Sequence, residues 1–166
     1  MVLTKSELIS SLKHEVHILL HLAGKIDRAW LDYRPSPKQR STIELLRYLS
    51  IMGPMLIRSA KAGGFDQDAW RAAEKEAAGR DFDQTVAVIA AQSDVYVTLL
   101  ADMADADFRT EIDMFGTKSS RGAYIVNLVL GGCAAYRTQI FLYLKACGRT
   151  ELGTMNLWRG VDPPPA

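Results

Sequence analysis

With 166 residues, 48% of them hydrophobic, the chain has the size and apolar content of one domain with a sizeable core. Its 20 lysines and arginines are balanced by 19 aspartates and glutamates scattered along the whole length, so no basic footprint for a phosphate backbone exists, which argues against nucleic-acid binding. The first residues lack the basic stretch and apolar run of a secretory signal, and the expected setting is cytoplasmic with no membrane partner.

Thr4 with Glu7 is a capping-box signature that opens a first helix, expected to reach about Trp30, with Leu8, Leu12, Val16, Leu19, Ala23 and Ile26 on one stripe. Prolines at positions 35 and 37 break the pattern. Ser41 with Glu44 repeats the signature for a second helix, in which Leu45, Leu49, Met52 and Leu56 recur at helical spacing and Gly53–Pro54 predicts a kink. Gly63–Gly64 ends it, and Asp66 caps a short amphipathic helix through Trp70 to about Ala78. Asp81 with Gln84 starts a third long helix whose buried face is expected at Val86, Ile89, Val97, Leu100 and Met103. The polar segment from Asp105 to Ser120 reads as a long connection with a short extended pair around Glu111 to Phe115. The fourth long helix begins near Ser119 or Ser120, is almost charge-free from Gly122 to Tyr136, and stops at Gly148 after Lys145. The tail from Glu151 to Asp162 reads as irregular, but Leu152, Met155, Leu157 and Trp158 require it to dock on the helices or on a second copy. With no βα alternation and no glycine-rich phosphate loop, the expected fold is all-α: one domain over 1–166, a four-helix bundle with a short extra helix after helix two.

Chemistry-bearing side chains are few. His14, His17 and His21 fall on one face of helix one at spacings that can gather Zn²⁺, but roughly 170° from the apolar stripe, which places them toward solvent or a subunit interface. Cys133 and Cys147 lie on one helix roughly 20 Å apart, too far for a disulfide, and read as small buried hydrophobes. On helix four Ile125, Gly132, Tyr136, Gln139 and Tyr143 share a band, and on helix two Glu44 and Tyr48 sit at i,i+4 beside the apolar stripe. The two bands can face one cleft, either as ordinary core with satisfied tyrosine hydroxyls or as a small-molecule pocket with a few convergent polar groups. Arg47 and Arg137 can hold a ligand carboxylate, or close ion pairs with Glu44, Asp94 or Asp102. No serine sits in a nucleophile-elbow context and no carboxylates pair at catalytic spacing.

The run from Arg40 to Leu49, the run from Ala135 to Gly148 and the tail from Leu152 to Trp158 together resemble the DinB/YfiT-like superfamily of metal-binding four-helix bundles. The resemblance implies an up-up-down-down bundle, often a homodimer, in which one histidine from helix two and two at i,i+4 on helix four hold a divalent metal. It also implies that some relatives are thiol-dependent transferases or isomerases acting through that metal. Here those positions carry Tyr48, Gly132 and Tyr136, followed by Gln139. Neutral tyrosine is a poor ligand and glycine offers none, so no cofactor is expected. The leading expectation is a metal-free DinB-like protein, a homodimer, with a small-molecule cleft between helices two and four lined by Tyr48, Gly132, Tyr136, Gln139 and Glu44. One alternative is a metal-dependent thiol transferase or hydrolase using Zn or Ni at His14, His17 and His21; another is a non-catalytic dimeric interaction module.

Overall fold

The computed structural model describes residues 3–164. Helices dominate it: α1 (Lys5–Ala23), α2 (Thr42–Ala62), α3 (Gln67–Ala78), α4 (Phe82–Leu100), α5 (Arg121–Tyr124), α6 (Gly131–Ala146) and α7 (Thr154–Arg159). One antiparallel hairpin, β1 (Glu111–Met114) with β2 (Thr117–Ser120), interrupts them. α1 and α2 each pack against both α4 and α6, and the core runs between these four. α3 lies chiefly against α2, as its polar composition allows.

The three capping boxes read from sequence are present. The Thr4, Ser41 and Asp81 side chains each accept the backbone N–H three residues on, and Glu7, Glu44 and Gln84 reach back to the cap residue's own N–H. Gly63 closes α2 with φ +84°, the left-handed geometry that only glycine adopts without cost. Phe115 and Gly116 turn the hairpin with φ of +59° and +73°, and Ile112 and Met114 on one face of β1 enter the core.

Several expectations need correction. The first helix stops at Ala23, not near Trp30; Gly24 follows, and a separate 3-10 turn capped by Asp27 spans Arg28–Trp30. α2 runs on through Pro54. Gly53 beside it makes room for a side chain of α4, because an added Cβ would lie 2.0 Å from the Tyr96 hydroxyl oxygen. The buried face of α4 is Thr85, Ile89, Gln92, Tyr96 and Leu100; Val86 is only half-buried and Val97 is exposed. Apolarity alone misassigned that face because the helix buries polar residues that satisfy one another. Gln92 Nε2 donates to the Leu49 carbonyl at 2.9 Å, and the Tyr96 hydroxyl donates to Gln92 Oε1 at 3.0 Å.

The fourth long helix is continuous from Arg121 to Ala146, 26 residues, within the bounds expected from Ser120 and Gly148, and is sufficient in length and composition to cross a membrane. Its buried residues, among them Ile125, Val129, Cys133 and Ile140, pack into the core against α1 and α2. Between α5 and α6 its hydrogen bonding is π-helical over Ile125–Leu130, a local widening that periodicity did not disclose. The tail is not irregular: α7 is a helical turn and a half that docks on α1 and α6.

Candidate functional site

Tyr48, on the second turn of α2, and Tyr136, on the second turn of α6, meet with ring centroids 5.1 Å apart at an interplanar angle of 70°. Edge-to-face packing of this kind fixes both rings. Tyr48 also lies 6.0 Å from Trp70 of α3 and carries the Arg40 guanidinium on its face at 4.0 Å. Trp70 packs on Phe65, and Phe65 on Phe115 at the hairpin tip. These five rings line one side of an open cleft of about 460 Å³; Met52, Leu56, Asn127, Leu128, Gly131, Gly132 and Ala135 complete it. Burial pushes the Tyr48 hydroxyl up from the ordinary phenol value, and the neighbouring Tyr136 phenol reinforces the shift. Tyr48 therefore stays protonated at any physiological pH. Gly132 leaves room for the Met52 thioether, since a Cβ there would lie 3.1 Å from its Sδ and Cε.

The structure brings Tyr48, Gly132 and Tyr136 together at this cleft and sends the other two expected residues elsewhere. Glu44 is exposed and serves the N-terminus of α2; its carboxylate accepts from the Ser41 N–H and pairs with Arg34, which together hold it below the usual carboxylate range. It lines a separate cleft of about 240 Å³ on the other side of Tyr48. Gln139 turns toward Tyr143, whose hydroxyl donates to the Arg40 carbonyl at 2.9 Å. Arg47 donates to the Arg80 carbonyl and, among the described residues, forms no ion pair with Glu44 or an aspartate. Trp70, Phe65 and Phe115 join the cleft beyond the two bands read from sequence; the aromatics just after the Gly63–Gly64 stop are a sequence signal for Phe65 and Trp70, and none marks Phe115.

The tail packs along the histidine face of α1 and leaves His14 and His17 exposed, with His21 part-buried. The Trp158 carbonyl accepts from His14 Nε2 at 3.0 Å, and Asn156 Nδ2 donates to His21 Nε2 at 3.1 Å. Gly160, with φ +62°, passes so close to His17 that a Cβ would lie 2.8 Å from its ring. Burial lowers the His21 pKa, against the pull of Asp162. Among the described residues no group of three or more His, Cys, Asp or Glu is placed to hold a metal ion.

Under the same tail lies a pair that sequence reading missed. Glu15 Oε2 is 3.3 Å from Arg137 Nε, with only 12% and 4% of the two side chains exposed. Neither atom has a hydrogen-bond partner among the described residues, while Arg137 Nη1 donates to the Leu157 carbonyl at 3.0 Å and the Trp158 ring covers the guanidinium. Burial raises the Glu15 pKa, opposed by Arg137 and then His14. The i,i+4 spacing from Cys133 to Arg137 puts the buried thiol beside the pair; burial and the Glu15 charge push it up to about 12 despite Arg137.

The fold is an all-α bundle with an aromatic-walled cleft between its second and last long helices. It is the fold of a DinB-like protein from Bacillus subtilis, YjoA, whose crystal structure superposes with a TM-score of 0.68 at 18% identity over 92% of this chain and 97% of that one. No family model and no curated protein matches the chain. In the positions where the DinB resemblance puts metal-holding histidines, this chain presents two phenols and a glycine. That donor set does not fit a divalent metal, because a protonated phenol is a weak ligand and glycine contributes nothing.

Proposed function

We propose that this chain is a DinB-like protein that uses the family's cleft, without a metal, to bind a small planar molecule that is mostly apolar. The observation that carries the reading is the convergence of Tyr48, Gly132 and Tyr136 on a cleft of about 460 Å³ whose walls are aromatic. That volume lies in the range of small-molecule sites, and the Asn127 amide and the tyrosine hydroxyls are the few polar groups able to orient a ligand. Two fixed rings offer stacking faces at little cost in conformational entropy.

Saturation-transfer NMR and calorimetry with indole and 2-naphthol as probes test this. Ala135 is exposed and lines the cleft, so Ala135→Trp fills it without touching the core. Saturable binding in the natural protein, lost in Ala135→Trp, is expected, with metal content far below one ion per chain after dialysis against a chelator. A stoichiometric Zn or Ni ion that departs on replacing Tyr48 and Tyr136 by Phe would refute the reading, as would probe binding indifferent to Ala135→Trp.

A further inference from the structure

A second cavity, of about 550 Å³, lies at the other side of the π-helical stretch, between the start of α1, the 3-10 turn Asp107–Arg109 and α5. Its size is that of a small-molecule site. Only Asn127 is common to it and the aromatic cleft. Leu3, Leu8, Phe108, Ala123 and Val126 wall it, and of these Leu3, Ala123 and Val126 keep part of their surface in water.

Its charged groups are of one sign. Lys5 and Arg109 line the cavity and, among the described residues, no carboxylate does. The nearby acids are already committed: Glu7 accepts from Thr4 N and Oγ1, Asp107 from the Ala104 N–H, and Asp102, near enough to Lys5 to feel its charge, pairs with Lys61. Lys5 is fixed by donating to the carbonyls of Ala101 and Met103, and it forms no ion pair among the described residues. Arg109 is exposed and likewise unpaired among them. The backbone around the cavity is shaped by two local choices. Gly122 lets α5 settle on Phe108, because a Cβ there would lie 3.0 Å from the Phe108 carbonyl oxygen. The π-helical turn begins at Ile125 and places Val126 and Asn127 on the cavity wall. Such turns persist despite weaker hydrogen bonding and recur at functional sites.

We infer that this cavity binds a single-chain amphiphile with an anionic head, a medium-chain carboxylate. An apolar chain covers the part-exposed walls, and a carboxylate satisfies the two cations; a cationic ligand is repelled by them, and a neutral one leaves their charge uncompensated.

The test titrates decanoate, with decanol as its neutral counterpart, into the full chain below their aggregation limits, by calorimetry and by methyl NMR. Decanoate is expected to bind at one site per chain, shifting the methyls of Leu8, Ala123 and Val126 and not those of Leu56 and Leu128 in the aromatic cleft. Arg109→Gln, at an exposed position, is expected to weaken decanoate about three- to tenfold and leave decanol unchanged. Ala123→Phe is expected to abolish binding of both, and Ala135→Trp, which fills the other cleft, to change neither. No saturable decanoate binding, equal effects of Arg109→Gln on decanoate and decanol, or shifts confined to Leu56 and Leu128 would overturn the inference. The methyl pattern decides even if Ala123→Phe fails to fold, and it separates this site from the aromatic cleft.

Discussion

Two glycines on facing helices give opposite predictions for one substitution. At Gly53, an added Cβ lies 2.0 Å from the Tyr96 hydroxyl oxygen and 2.9 Å from Cζ, where ordinary contact begins at 3.4 Å, so the ring must retreat about 1.4 Å. Tyr96 is 1% exposed and cannot move outward without giving up its bond to Gln92, which in turn holds the Leu49 carbonyl. Overpacking costs about 1–3 kcal/mol, and a buried polar group left unpaired costs about 1–3 kcal/mol more. Removing a mid-helix glycine returns about 1 kcal/mol. Gly53→Ala should therefore destabilise by about 1–5 kcal/mol. At Gly132 the nearest atoms are the end of the flexible Met52 side chain at 3.1 Å, which can swing aside, so Gly132→Ala should be neutral or stabilising by up to about 1 kcal/mol. Urea unfolding of both variants reads the difference. Tyr96→Phe removes the clashing oxygen, so combined with Gly53→Ala it should cost clearly less than the two single costs added. A Gly53→Ala midpoint within error of the natural protein, or strict additivity in the double variant, would refute the reasoning.

Other perturbations test other parts of the molecule. Glu15 has a raised pKa in the fold, so folding favours its protonated form; that contribution is complete below its unfolded value near 4.5 and is lost as pH rises through the raised value. Glu15→Gln should remove this slope from stability measured by urea midpoint between pH 4 and 7, and identical slopes would contradict it. Cys133, with a thiol pushed up to about 12, should resist Ellman's reagent until the chain unfolds, whereas Cys147, only part-buried, should react in the native state; two equally fast native thiols would contradict this. Ser41→Ala deletes the cap of α2 and should cost about 1 kcal/mol by thermal or urea unfolding. Asn156 is buried and serves Gly153, His21 and Asp162 at once, so Asn156→Ala should cost about 1–3 kcal/mol and expose α7 to limited proteolysis before the rest of the bundle.

What the sequence made legible were elements with local causes. The capping boxes at Thr4, Ser41 and Asp81, the glycine stop at Gly63 and the hairpin around Glu111 to Phe115 each follow from a few adjacent residues. The all-α DinB-like architecture followed from them together with the runs at Arg40–Leu49 and Ala135–Gly148. What escaped depends on partners distant in the chain. The buried face of α4 is set by Gln92 reaching the Leu49 carbonyl, which no periodicity encodes. Glu15 reads as a solvent residue until Arg137 comes to meet it from across the bundle. Part of the cleft was legible because Tyr48 and Tyr136 lie on long, well-phased helices, while Phe65 and Phe115 arrive there on connections. Gln139 and Glu44 sat on the right helices but were claimed by nearer partners, Tyr143 and Ser41.

The docking of residues 156–162 on α1 reaches beyond the finished molecule. His14, His21 and Lys25 meet Trp158, Asn156 and Asp162, separations of 144, 135 and 137 residues. During synthesis α1 emerges well before residues 156–162, and the face they dock on waits for them until they too have left the ribosome. Translation speed and the length of any segment joined after Asp162 thus become determinants of how long that face stays open to chaperones and proteases.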